Sequence, residues 1–155
     1  MNLPHHRAVA ALAAALALAA PAAADGPLRS ELTAFIVTVD EDGAEMFEQV
    51  DEVEPGDLVE YRLVYTNTSE APLEGLVVSA PVPASTDLVL GSETTQVPGI
   101  FEASIDEGAN WGAPPIFLEP GTEADIDDYD LVRWSPETAI TPGEEWLFAY
   151  RVSVE

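Results

Sequence analysis

Residues 54–68 read EPGDLVEYRLVYTNT, and they carry the clearest structural signal in the chain. After the Pro55-Gly56 pair, apolar or aromatic residues recur at alternate positions, namely Val59, Tyr61, Leu63 and Tyr65. Such alternation is typical of a β-strand with one buried face. It places Glu60 and Arg62 on the opposite face, so the sequence predicts that both are exposed to solvent.

The same alternation recurs along the chain. Residues 145–154 place their aromatic residues on one face, and residues 32–40 place Phe35, Val37 and Val39 on the face predicted to be buried. Weaker strand candidates are residues 76–82, 87–90, 101–105, 116–118 and 131–134. No apolar face with helical spacing exceeds a turn, so crossover helices for a parallel sheet are lacking. The sequence therefore predicts an all-β, antiparallel protein.

Proline-glycine pairs lie between these predicted strands. Each pair suits the two central positions of a type II turn, where glycine supplies a positive φ. The pairs are Pro55-Gly56, Pro98-Gly99, Pro120-Gly121 and Pro142-Gly143. Short strands separated by turns at this spacing indicate a β-sandwich of about seven to nine strands.

Residues 1–24 have the three parts of a secretory signal. Arg7 gives the positive start, residues 8–20 form a short apolar run, and Ala22 and Ala24 give the small-residue cleavage pattern. This pattern predicts cleavage before Asp25 and a periplasmic or secreted protein that keeps no stable membrane insertion.

The remaining chain divides into a short segment at residues 25–31 and a single domain at residues 32–155, because this length normally forms one core. All 29 acidic residues follow position 24, whereas the cations there are four arginines and the chain contains no lysine. Such a negative field repels nucleic acid and favours a soluble monomer.

Cysteine is absent, and both histidines, His5 and His6, fall within the predicted signal. Disulfides, thiolate nucleophiles and serine or cysteine hydrolysis with a histidine base are therefore excluded after cleavage. No motif singles out a catalytic pair of carboxylates. The sequence predicts that the protein is not an enzyme.

Residues 54–68, together with Ala71-Pro72-Leu73 and residues 76–84, resemble a known pattern. It is similar to the conserved repeat domain of bacterial envelope and surface proteins called domain of unknown function family eleven. The resemblance continues through residues 104–108, 132–134, 140–144 and 148–154. It implies an immunoglobulin-like antiparallel β-sandwich and supplies no catalytic residues. We therefore expect an exported, non-enzymatic structural or interaction module of the cell envelope, whose partner is an unknown envelope protein or surface component.

One segment has the composition of a calcium site. Residues 123–130 contain five carboxylates, and oxygen ligands are what calcium requires. The predicted ligands are Asp106, Asp125, Asp127 and Asp128, with Glu107 and Asn110 as neighbours. A chain this acidic also produces carboxylate runs by composition alone, and the segment lacks the glycine and terminal glutamate of an EF-hand loop. No other cofactor is predicted.

The three tryptophans suggest an alternative function. Trp146 shares its strand face with Phe148 and Tyr150, and Trp134 ends a short strand, so both are predicted to be core residues. Trp111 lies in a loop without periodicity and is a predicted ligand contact. The alternative is thus a small-ligand or carbohydrate-binding module that uses the loop around Trp111.

Overall fold

The computed structural model describes residues 26–155, so the predicted signal at residues 1–24 lies outside the described residues. Within them the protein is all-β and has no α-helix, which confirms the predicted class. The strands are β1 (Leu28–Val39), β2 (Glu45–Gln49), β3 (Leu58–Asn67), β4 (Val78–Pro81), β5 (Thr86–Leu88), β6 (Thr94–Thr95), β7 (Gly99–Ser104), β8 (Phe117–Glu119), β9 (Thr122–Glu123), β10 (Leu131–Pro136) and β11 (Glu145–Val154). A single 3-10 turn covers Ile126–Asp128.

The strands form two sheets and a separate hairpin, and every pairing is antiparallel. The larger sheet has the order β2-β1-β3-β11-β5, and β6 also pairs with β11. The smaller sheet has the order β4-β10-β7, and β8 pairs with β9 alone. The strands outnumber the about seven to nine predicted, because β2, β6 and β9 are short segments without a clear alternation.

The two sheets share one core. Trp134 of the smaller sheet lies with its ring centroid 5.6 Å from that of Phe148 and 6.1 Å from that of Tyr150, both in β11. Tyr61 of β3 stacks on Tyr150 at 5.3 Å. Trp146 is also buried. The predicted core faces of β3 and β11, and the predicted burial of Trp134 and Trp146, are therefore confirmed.

The core face of β1 differs from the prediction. Phe35 pairs with Glu60 of β3, which points away from the core, whereas Ala34 packs against the core. Val39 is 66% exposed, and Val37 is buried on the outer face. The prediction that Phe35, Val37 and Val39 form the core face is therefore wrong. Both faces of this strand carry apolar residues, so alternation alone did not distinguish them.

One predicted turn is also wrong. Gly56, Gly121 and Gly143 have the positive φ that a type II turn requires, but Gly99 does not and instead begins β7. A Cβ at Gly99 would lie 2.6 Å from the carbonyl oxygen of Ser135 in β10. This glycine is needed because the backbones of two strands approach closely there, rather than for a turn.

Candidate functional site

The hairpin formed by β8 and β9, residues 117–123, pairs with neither of the two sheets. Every residue of its two strands is exposed, including Phe117 at 54% and Leu118 at 58%. The strands are joined at Pro120-Gly121, where Gly121 adopts a φ of 85° that favours glycine. We call these residues the 117–123 hairpin. It presents two large apolar side chains, those of Phe117 and Leu118, to solvent.

The base of the 117–123 hairpin is fixed to the body of the protein. The backbone N–H of Ala124 donates to the carbonyl of Ile116 at 2.8 Å. The N–H of Ile116 donates to the hydroxyl of Tyr129, also at 2.8 Å, and Tyr129 is buried in the core. Ile116 itself packs against the core. The hairpin therefore projects from an anchored base.

Carboxylates accompany these apolar side chains. Glu123 pairs with Phe117 across the hairpin, and Glu119 ends β8. The 3-10 turn that follows adds the exposed Ile126, which is 37% accessible. The predicted metal ligands Asp125, Asp127 and Asp128 are all exposed here. The sequence predicts only a weak strand at residues 116–118 and does not predict this exposed hairpin. Three consecutive apolar residues do not alternate as a half-buried strand would, and this was the available signal.

The fourth predicted metal ligand, Asp106, lies in the loop after β7. Its carboxylate accepts hydrogen bonds from the backbone N–H and side-chain amide of Asn110, at 2.8 and 2.6 Å, and from the Ser104 hydroxyl at 3.0 Å. These bonds, led by that of the Asn110 side chain, lower the pKa of Asp106. The carboxylate thus organises its own loop.

The loop of Asp106 adjoins the segment that follows the 3-10 turn. The N–H of Glu107 donates to the carboxylate of Asp130, and the N–H of Asp130 donates to the carbonyl of Ser104 at 3.0 Å. Within residues 26–155, however, no group of three or more acidic, histidine or cysteine side chains is arranged to hold a metal ion. Calcium binding stays a prediction.

Trp111 is half-buried on the outer side of the smaller sheet. The guanidinium carbon of Arg133 lies 4.2 Å from the centroid of its ring, and Arg133 also pairs with Glu102 at 2.7 Å. A Cβ on Gly108 would lie 3.3 Å from Cζ2 of the indole. The indole is therefore in contact with its own protein, and a ligand would meet the remaining part of the ring.

The outer face of the larger sheet carries a charged network. Glu60 is buried, which corrects the prediction that it is exposed. Its carboxylate accepts from Nε of Arg62 at 2.7 Å and from Nε of Arg151 at 2.8 Å. Arg151 in turn donates to both carboxylate oxygens of Glu45 at 2.7 Å. Hydrogen bonds from Arg151 lower the pKa of Glu45, and bonds to Glu45 raise the pKa of Arg151.

A small cavity opens between the two sheets. Its volume is about 60 Å³. The lining includes Phe101, Trp134 and Phe148, and the buried Nε1 of Trp134 has no hydrogen-bond partner among the described residues. Ligand sites for small molecules normally have about 300–1,000 Å³. The cavity suits a few water molecules rather than a sugar.

Compared with known proteins, the chain matches no family model, no curated protein and no solved structure. The resemblance to domain of unknown function family eleven therefore stays a prediction. Among the helices of the described residues, none has the length and apolar character needed to cross a membrane.

Proposed function

We propose that this protein is an exported, monomeric and non-enzymatic interaction module of the bacterial cell envelope. The observation that carries the proposal is the 117–123 hairpin, which holds Phe117 and Leu118 in solvent on an anchored base. Exposed apolar side chains grouped within a polar surface mark interaction sites. The hairpin contributes neither side chain to the core, so binding explains its apolar residues better than stability does.

The use of charge supports an interaction role. Arg62, Arg133 and Arg151 are each bound to carboxylates of the outer sheet faces. Their positive charges are thus neutralised by ion pairs within the molecule, while most acidic residues face solvent. Long-range electrostatic attraction then favours partners of opposite charge. Repulsion between like charges discourages association between copies of the chain.

The proposed architecture is an immunoglobulin-like sandwich, as the resemblance to family eleven implies. Two antiparallel sheets around one core, without crossover helices in the described residues, support it. The proposed absence of catalysis is supported by composition, because residues 25–155 contain no histidine, cysteine or lysine. These are the side chains that most often act as bases or nucleophiles near neutral pH.

Site-specific photo-crosslinking in a bacterial host tests the interaction. A photoreactive phenylalanine analogue at position 118 should give a discrete adduct with an envelope component. The same analogue at position 100 is the control, because Ile100 on β7 is 56% exposed and thus matches Leu118. Equal labelling from the two positions, or none from position 118, would refute the role of the hairpin. Fractionation and mass analysis should find the chain outside the cytoplasm, beginning at Asp25.

Carbohydrate binding at Trp111 is the second candidate. It is favoured by the half-exposed indole beside the ordered loop of Asp106. Arg133 covers part of the ring, so a sugar has only the remaining surface on which to stack. A titration with soluble glycans, followed by tryptophan fluorescence, distinguishes the candidates, because only the second gives a saturable change that Trp111→Phe removes.

A further inference from the structure

We infer that the 117–123 hairpin binds a cationic amphipathic segment of its partner, one that alternates basic and apolar side chains. This inference rests on the proposed function and specifies the chemistry of the partner. It follows from two properties that occur together at the hairpin, namely exposed apolar surface and an uncompensated negative charge.

The charge at the hairpin is entirely of one sign. Residues 117–128 contain five carboxylates and no cation. The carboxylates belong to Glu119, Glu123, Asp125, Asp127 and Asp128, and all five residues are exposed. An apolar partner without cations would desolvate these carboxylates without compensation. Anionic lipids and nucleic acids would be repelled. Charge complementarity therefore selects a cationic partner.

The exposed apolar side chains of the hairpin require that the partner also supplies apolar groups. Phe117, Leu118 and Ile126 together expose large apolar surface, and their burial is what would give a complex its hydrophobic contribution. A purely basic partner would leave this surface in water. The pairing of β8 with β9 is irregular between Phe117 and Glu119, and both Phe117 and Leu118 are exposed at this irregularity. A segment that offers both apolar and basic groups satisfies both features.

The hairpin is prepared for binding. Its base is held by the bonds between Ala124 and Ile116 and between Ile116 and the Tyr129 hydroxyl, and Gly121 adopts the positive φ that the turn requires. A preformed hairpin loses little conformational freedom when a partner docks. The backbone therefore presents the apolar and acidic side chains in a fixed arrangement.

Three synthetic peptides test the inference with the purified protein. The first alternates lysine and leucine, the second is oligolysine of equal charge, and the third alternates serine and leucine. We expect the first peptide to bind at least about tenfold more tightly than either of the others, as measured by calorimetry. Equal binding of oligolysine would overturn the inference, since it would show general attraction to a polyanion.

Matched variants locate the binding. Replacing both Phe117 and Leu118 with serine should weaken the lysine-leucine peptide about tenfold. Ile100→Ser is the control and should leave binding unchanged, because Ile100 is equally exposed but lies on β7. If Ile100→Ser weakens binding as much as the hairpin variant does, the inferred site is wrong.

A second pair of variants tests the charge. Replacing Glu119 and Glu123 with glutamine should weaken binding and make it less sensitive to salt. Replacing the exposed Glu41 and Glu52 removes the same net charge elsewhere, so it should have the smaller effect. Equal effects of the two pairs would overturn the inference. Circular dichroism of each variant confirms that it is folded.

The outcomes separate the inference from the proposed function. A specific adduct from position 118 in cells, together with no preference for the lysine-leucine peptide, would overturn the cationic partner and leave the interaction role standing. Failure of the crosslink would contradict the proposed function itself. Tighter binding to phosphatidylglycerol vesicles than to the peptide would replace the protein partner with a lipid surface.

Discussion

At the scale of single residues, Glu60 links β3 and β11 on the outer face of the larger sheet. Its two carboxylate oxygens bind Arg62 and Arg151, which come from two neighbouring strands. The carboxylate is buried, and its loss would remove the hydrogen-bond acceptor of Arg62 and leave Arg151 with Glu45 alone. Charge placed between two cations therefore stabilises the pairing of β3 with β11.

We expect Glu60→Gln to lower the free energy of unfolding by about 1–3 kcal/mol, because the amide retains one acceptor and turns a donor toward the second arginine. Chemical denaturation measures the change. Glu31→Gln is the control, since Glu31 is exposed on the neighbouring β1. Equal stability of Glu60→Gln and wild type would show that the hydrogen bonds of Glu60 to the two arginines do not stabilise the fold.

Asp106 makes the stability of its loop depend on pH. Hydrogen bonds hold its pKa below the ordinary value of 3.8. The unfolded chain therefore binds this proton at higher pH than the folded chain does, so the stabilisation is fully present above pH 3.8 and is lost as the pH falls through the folded pKa. Asp106→Asn should lower the melting temperature at neutral pH.

The difference between Asp106→Asn and wild type should shrink as the pH falls below 3.8. Asp125→Asn serves as the comparison, because the Asp125 side chain makes no capping hydrogen bond to the 3-10 turn. A difference that stays constant from neutral to acidic pH would argue against the ionised carboxylate as the stabilising group.

At the scale of elements, side-chain contacts add to the backbone pairing that holds β2 against β1. It lies at the edge of the larger sheet and pairs with β1 alone. Phe35 and Phe47 both place their rings 4.4 Å from the guanidinium carbon of Arg62. The guanidinium therefore joins three strands through cation–π contacts. Glu45 adds its bond to Arg151.

Phe47→Ala should loosen β2 more than the rest of the fold. We expect faster hydrogen exchange of the amides in residues 45–49 and a loss of about 1 kcal/mol in global stability. Met46→Ala is the matched control, because Met46 is 55% exposed in the same strand. Unchanged exchange in β2 would show that its backbone pairing alone suffices.

The central strands were predictable and the edges were not. β3 and β11 alternate cleanly because one face of each is core, so their bounds and phases follow from periodicity. β2 is exposed at every position and has no alternation. The burial of Glu60 depends on Arg151, which is 91 residues away in the sequence. Local pattern carries no information about such a partner.

The candidate site was predicted in part. The sequence marked the carboxylates of residues 123–130 as unusual, and they do accompany the hairpin. It did not indicate that Phe117 and Leu118 are exposed, because a three-residue apolar segment is compatible with a buried strand as well. It also did not indicate that Arg133 stacks on Trp111, since that contact joins a loop to β10.

The whole molecule carries 29 acidic residues against four arginines after the predicted signal. Repulsion between the exposed carboxylates opposes the compact state. Sodium chloride should therefore raise the melting temperature through screening, by roughly 4 °C for each kcal/mol of repulsion removed. Calcium at matched ionic strength is the control. A larger rise with calcium than with sodium would contradict screening as the sole cause and would favour the predicted metal site.

The position of β11 has a consequence for when the protein can fold. This strand completes the larger sheet between β3 and β5, yet its residues are the last of the described chain to leave the ribosome. A nascent chain that ends before residue 145 lacks the strand that carries Phe148 and Tyr150 into the core. Folding must therefore wait until synthesis has passed this point. Passage through a translocation channel requires an unfolded chain, so this late closure of the sheet is compatible with the export that we propose.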